Sequence, residues 1–334
     1  MSARANLSVA GLAWLASMGC SGAPPRGQEN LQERFDSHAY AVGAGLETVH
    51  PYSGARYAMS DGSKDVQDSY PSAVRVEFSE DGLQFCSGVL LNPYLVLTAA
   101  HCFCMKNRPS GEQVIHRKSA SCVKSVSAVK AVRYGSSVSP RYEVSKGEVE
   151  VDIHEHYKSV INSRDEVLES KSDLAAIHLT QPIRGASMAF KVPPRREVEV
   201  GDLLVAAGYG KTDLREGTGL IGDRYYGTNM VKVFSSRVDP KDREGKIRDG
   251  VFAFAGEGPD GQRAHAQRGD SGGPCFSQRE DGVWLVGIIS MYGNLGNDSA
   301  PWSVFTSTFL HREWIRRHME KSRVRSEKLK SKSN

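Results

Sequence analysis

Gln267–Cys275 reads QRGDSGGPC, with Ser271 set among Gly269, Gly272 and Gly273. That density of glycine does not suit the interior of a helix or strand, and it leaves the backbone free to aim its N–H groups at one point. A serine hydroxyl is a weak nucleophile at neutral pH. It needs a base within hydrogen-bond reach, and the base needs an acceptor to fix its tautomer. Two segments upstream offer these groups. LTAAHC, Leu97–Cys102, runs an apolar strand straight into His101, and KSDLAAIHL, Lys171–Leu179, opens an apolar run with Asp173. The chain order is therefore His101, Asp173, Ser271.

The surrounding text is that of a globular, strand-rich protein. The chain has 334 residues, 39% of them hydrophobic and 25% charged, which excludes a mainly disordered or collagenous chain. No apolar run approaches the roughly 18 residues that span a bilayer. Short β-rich runs recur between Gly, Asp and Ser turns: Ala73–Phe78, Ser87–Leu91, Tyr94–Ala99, Leu203–Gly210 and Val283–Ser290. They predict an antiparallel sandwich or barrel. Helical periodicity is clear only from Thr308 to Met319, with Phe309, Leu310, Trp314 and Ile315 on one side.

The net charge is +4, but residues 311–334 hold 9 Lys and Arg against 3 Asp and Glu, so the body is near neutral. Such a basic tail can meet nucleic acid or anionic lipid, yet most are simply solvated. No specific nucleic-acid partner is expected. A protein acting through this tail as an anion binder would keep its function in Ser271→Ala and lose it on tail removal.

The N-terminus carries Arg4 and then the apolar stretch Leu7–Met18, ending at Gly19, Cys20, Ser21. This reads as an export signal over residues 1–19. It resembles a bacterial lipoprotein signal, in which Cys20 is lipidated, becomes the mature N-terminus and anchors the chain to a membrane, except that Ser17 stands where such signals usually have Leu. The alternative is an ordinary secretory signal with an incidental cysteine. Both place the protein outside the cytoplasm, extracellular or in the cell envelope. Residues 20–56, polar and Gly-rich with Pro24 and Pro25, suit a linker or propeptide. Export makes disulfides permissible among Cys20, Cys86, Cys102, Cys104, Cys122 and Cys275. His101, Cys102 and Cys104 also suggest a metal cluster, but no second ligand pair at zinc-finger spacing follows. HEH at His154–His156 lacks the HExxH zinc spacing and is expected at the surface. No metal and no cofactor are expected.

GDSGGP at Gly269–Pro274 together with AAHC at Ala99–Cys102 resembles the chymotrypsin and trypsin family of serine proteases, peptidase family S1. YPSAVRV near Tyr70, HEHY before Asp173, AGYG at Ala207 and LVGIIS ahead of a helix around Trp314 follow in the family's order. The resemblance implies an all-β fold of two packed antiparallel six-stranded β-barrels with a C-terminal α-helix. The protease domain would cover residues 57–320, followed by a basic tail, 321–334. It also implies an endopeptidase acting on polypeptides through an acyl-enzyme, expected as a monomer. Ser271 would be the nucleophile, His101 the base, Asp173 its orienting carboxylate, and the main-chain amides of Gly269 and Ser271 the oxyanion hole. Ser290 matches the position beside the substrate backbone that supports the aspartate. The alternative is a catalytically idle homologue used as a binding module.

The family pairs the cysteine on the SGVLL strand with the one after the histidine, here Cys86 with Cys102, closing a loop worth about 3 kcal/mol. Cys104 with Cys122 then staples an insertion between His101 and Asp173, and Cys275 is left unpaired in a buried apolar position. The floor of the primary pocket, Asp in trypsin, is His265, so a Lys or Arg preference is disfavoured. Tyr292 and Ser303 stand at wall positions where trypsin has Gly. His265 with Ser303 either hydrogen-bonds a polar or acidic substrate side chain or simply fills space. Activation in the family frees an amine that pairs with the Asp before the nucleophile, here Asp270. The matching stretch is Tyr57–Gly62, which points to cleavage after Arg56, with AVGAG at Ala41–Gly45 as a rival start and a chain that needs no cleavage as the third alternative.

Overall fold

The computed structural model describes residues 59, 62–80, 82–104, 113–133, 141–146, 149–161, 167–185, 190–210, 223–238, 247–256, 264–294 and 301–332. The export signal, Cys20, the linker and the rival start at Ala41–Gly45 lie outside the described residues.

In chain order the first strands are β1 (Ser63–Lys64), β2 (Ala73–Glu77), β3 (Phe85–Asn92), β4 (Leu95–Thr98), β5 (Gln113–His116), β6 (Ala128–Arg133), β7 (Arg141–Ser145) and β8 (Val149–Ile153). There follow β9 (Lys158–Ile161), β10 (Val167–Lys171), β11 (Ala175–Leu179), β12 (Leu203–Gly208), β13 (Tyr225–Val238) and β14 (Ile247–Ala255). The last elements are β15 (Pro274–Arg279), β16 (Gly282–Asn294), β17 (Pro301–Ser307) and the helix α1 (Arg312–Lys332).

The C-terminal half is a closed barrel in the order β13-β12-β15-β16-β17-β14, sealed where β13 pairs with β14, with β1 added on β13. Closure leaves the six strands no free edge, and inward residues such as Leu204, Phe252, Phe254, Cys275, Ile289 and Phe305 fill it. The N-terminal half is a curled sheet, β7-β6-β2-β3-β4-β11-β8, with β10-β9-β5 as a separate three-stranded sheet. Among the described residues no ladder joins β7 to β8, so this half is a half-barrel rather than a closed six-stranded one. On β7, at the edge of this sheet, Arg141, Tyr142, Glu143 and Val144 are exposed.

Between the halves lies a third apolar cluster. Val89, Leu97 and Leu174 come from the first half and Phe276, Leu285 and Ile288 from the second, with Trp314 and Ile315 of α1 packed on both. Full burial of each such side chain contributes about 1.5–3 kcal/mol, so this seam holds the two halves in register. A buried ionic knot adds direction. Arg224 Nε donates to Asp65 Oδ2 at 2.7 Å, Nη2 to Asp68 Oδ1 at 2.8 Å, and Nη1 to the carbonyl of Val132 on β6 at 2.9 Å.

The helix starts later and ends later than periodicity predicts. Thr308 is held back by its hydroxyl, which donates to Leu285 O at 2.7 Å, so α1 begins at Arg312. It continues through the expected basic tail to Lys332, helped by Arg316–Glu313 and by Arg323 paired to Glu320 and Glu327. The tail is no detached arm, because Lys321 reaches Glu150 at 2.6 Å and Arg325 reaches it at 2.7 Å. Among the described residues no helix is long and apolar enough to cross a membrane.

Candidate active site

Sheet pairing brings the first two predicted residues together. β11 lies antiparallel to β4 with Ala175 opposite Thr98 and Ala176 opposite Leu97. Asp173, just before β11, therefore meets the short 3-10 turn Ala100–Phe103 that follows β4. Asp173 Oδ1 accepts from the backbone N–H of His101 at 2.8 Å, and Oδ2 lies 2.7 Å from His101 Nδ1. Ser290, on β16 in the other half, donates to the same Oδ2 at 2.5 Å. Burial alone would raise the Asp173 carboxyl, but the His101 imidazole and the hydrogen bonds from His101 and Ser290 outweigh it and hold it below the usual carboxylate range. The carboxylate is 3% exposed and the imidazole 34%, so the fixed end of the pair is dry and the working end opens to the cleft.

Ser271 arrives from the second half on the turn before β15. Its carbonyl accepts from Ser87 N–H on β3 at 2.8 Å. Cys102 Sγ lies 4.0 Å from both that carbonyl oxygen and His101 Nε2, so the serine turn and the imidazole share a neighbour. Two glycines make the turn possible. Gly269 has φ +100°, and a Cβ there would meet the Phe85 ring at 2.6 Å. Gly272 has φ +83°, and a Cβ there would collide with Thr98 Oγ1.

The turn has an anchor that motif reading missed. Ser87 Oγ donates to Gly269 O at 2.8 Å and accepts from Tyr209 N–H at 2.9 Å, while Thr98 Oγ1 donates to Ser87 O at 2.7 Å. With the Ser87 amide on Ser271 O, one residue pins both carbonyls that flank Asp270. No signal in the sequence marks it, since Ser87 reads only as a small residue within an apolar strand. The same is true of Arg224, whose partners Asp65 and Val132 lie 159 and 92 residues earlier in the chain.

Asp270 is fully buried, and its carboxylate accepts from backbone N–H groups of Gly210 at 2.7 Å and Gln267 at 2.8 Å. The Met59 amide is its third backbone partner. Burial outweighs these three amides and pushes the carboxyl up to about 6. Met59 itself is buried inside the second barrel's core.

The predicted pocket residues are gathered in the C-terminal barrel. His265 is 1% exposed, and its ring is engaged on both sides: Nε2 lies 3.0 Å from Gly256 O and Nδ1 lies 3.3 Å from Ser303 Oγ. Ser303 Oγ also accepts from Ala266 N–H at 2.8 Å. Of the two readings of His265, these contacts fit a space-filling floor. Tyr292 pairs across the sheet with Ser303 and packs against the barrel core.

Disulfides join Cys86 to Cys102 and Cys104 to Cys122, and Cys275 is a buried free thiol whose pKa burial raises. With its sulfurs oxidised, the Cys86, His101, Cys102 grouping offers no thiolate to a metal. Within His154–His156, Glu155 and His156 are exposed as the surface expectation has it, and His154 departs from it. His154 is 5% exposed, its ring 5.0 Å from that of Trp314, because α1 packs over it.

Two β units meeting along a seam, with a His–Asp pair on one side and a glycine-flanked serine on the other, define the trypsin-like fold class. The chain belongs to the trypsin family: the family's sequence model, described as Trypsin, matches residues 59–315. It is 26% identical over 248 residues to mouse transmembrane protease serine 11E, covering 70% of this chain and 49% of that protein. It is 27% identical over 252 residues to phenoloxidase-activating enzyme 1 of Spodoptera litura, covering 72% and 60%. Pig coagulation factor XII is 26% identical over 301 residues, covering 87% and 41%. The chain thus spans about half the length of these relatives.

Proposed function

We propose that the protein is a serine endopeptidase. The observation that carries this reading is the His101 imidazole, held at Nδ1 by a buried carboxylate, with its Nε2 and the Ser271 carbonyl oxygen both 4.0 Å from Cys102 Sγ. In this mechanism Ser271 Oγ attacks the scissile carbonyl as His101 Nε2 takes its proton. Asp173 holds the proton on Nδ1 and stabilises the imidazolium. The N–H groups of Gly269 and Ser271 receive the oxyanion, each donor worth about 10² to 10³ in turnover. His101 then protonates the leaving amine, and water resolves the acyl-enzyme by the reverse steps. The idle binding module is not favoured, because the relatives named above carry protease or enzyme names and all three reacting residues are present.

His265 and Ser303 put no carboxylate on the floor, so the pocket prefers a side chain other than Lys or Arg. Cleavage of a mixed peptide library by the mature enzyme, compared with Ser271→Ala, tests activity and preference together. Ser271-dependent cuts without Lys or Arg before the bond are expected. Enrichment of Lys and Arg there overturns the reading of the pocket, and no Ser271-dependent cut overturns the enzyme.

Maturation follows from Asp270. The amine that would neutralise this buried carboxylate is the one closest to it, so cleavage between Ala58 and Met59 serves better than cleavage after Arg56. N-terminal sequencing of the active form should begin at Met59; a start at Tyr57 contradicts this. We place the protein outside the cytoplasm, as the two disulfides and the apolar stretch Leu7–Met18 support, with the residues from 20 up to Met59 as linker or propeptide and the mature enzyme as a monomer. Lipidation of Cys20 would anchor the protein to a membrane, and plain secretion is the alternative.

A further inference from the structure

Away from the cleft, α1 docks on the first half through a cluster that the mechanism does not use. His178 Nε2 on β11 and His318 Nδ1 on α1 lie 3.0 Å apart, and each is 3.7 Å from Asp152 Oδ2 on β8. A metal with nitrogen and oxygen bonds of about 2.0–2.1 Å in tetrahedral array spaces its ligand atoms about 3.3 Å apart. We infer that Asp152, His178 and His318 form a binding site for a divalent transition metal, with zinc favoured by the donor set, which ties α1 to the first β half.

Three features of the surroundings support this. The donors converge from three elements, β8, β11 and α1, with their ligand atoms all within 4.8 Å of one another. Access is graded: the His178 side chain is 0% exposed, His318 13% and Asp152 34%, so an ion enters past the carboxylate and keeps a fourth position toward solvent. The third feature is the neighbouring cation. Lys321 Nζ donates to Asp152 Oδ2 at 2.7 Å and to Glu150 Oε1 at 2.6 Å. When the metal takes Asp152, Lys321 retains Glu150, so binding strands no charge. Two details limit the affinity. Lys321 competes for the carboxylate, and His178 Nδ1 has no acceptor to orient it, a support whose loss typically costs 10–100-fold.

The test uses the full chain carrying Ser271→Ala to prevent self-digestion, stripped with EDTA and titrated with zinc at about pH 7.5, well above the ordinary imidazole range. Calorimetry should give one zinc per chain, with a rise in Tm that EDTA reverses. His318→Gln should weaken binding by about 10-fold or more, while Lys321→Met, which removes the competitor, should tighten it. Cobalt as a probe should develop visible absorption that His318→Gln abolishes. No zinc binding at roughly 0.1 mM, or binding unchanged in His318→Gln, overturns the site. Should His318→Gln fail to fold, Asp152→Asn on the exposed side decides in the same terms.

Discussion

In the proposed mechanism Ser290 acts through Asp173. Its 2.5 Å hydrogen bond crosses from the second half into the first, and it helps hold the aspartate ionised in a dry site. Hydrogen bonds to charged groups contribute about 1.5–3 kcal/mol, so Ser290→Ala should lower kcat/KM roughly 10-fold or more, with kcat carrying most of the loss. Steady-state kinetics checks this, and a change confined to KM would contradict it. Ser87→Ala leaves Gly269 O and Tyr209 N–H without their buried partner, a loss of about 1–3 kcal/mol in denaturant unfolding. At this scale the sequence was informative in one direction only. His101, Asp173 and Ser271 stand in motifs whose residue types announce their chemistry. Ser87 does its work through main-chain atoms that carry no motif, and nothing in CSGVLL distinguishes its hydroxyl from that of any strand serine.

The last helix is the element whose role differs most from its reading in sequence. Its apolar residues were legible by periodicity, but its length was not, because residues 321–332 gain their order from ion pairs to β8 that no local pattern reveals. Its N-terminal flank also buries an ionisable group. His311 is fully buried, and burial lowers its imidazole to about 4. The unfolded chain therefore binds a proton near pH 6.5 that the folded chain refuses. Stability from this group is full above that pH and falls as pH drops from about 6.5 through 4, by about 3 kcal/mol in all. Thermal unfolding across this range should show a shallower acid decline in His311→Gln than in the parent. Equal slopes would mean that His311 does not couple to folding.

Across the whole molecule, function depends on holding two separately folded β units in one register, since His101 and Asp173 belong to the first and Ser271 to the second. The all-β class and most strand positions could be read from alternating apolar runs. The seam could not, because its residues alternate like any others and only the packed structure shows which faces meet. Arg224 makes the point: the sequence offers an ordinary charge, whereas the structure buries it at 0% exposure between Asp65, Asp68 and Val132 of the opposite half. Arg224→Met should destabilise the fold by about 3–5 kcal/mol, measured by urea unfolding, because Asp65 then remains buried and unpaired. The account's central claim is that this register delivers a working nucleophile. Treating the mature chain, beginning at Met59, with a serine-directed phosphonate and mapping the adduct by mass spectrometry tests it most directly. The prediction is one adduct, on Ser271, absent in Ser271→Ala; a folded, mature chain that takes no adduct at Ser271 would contradict it.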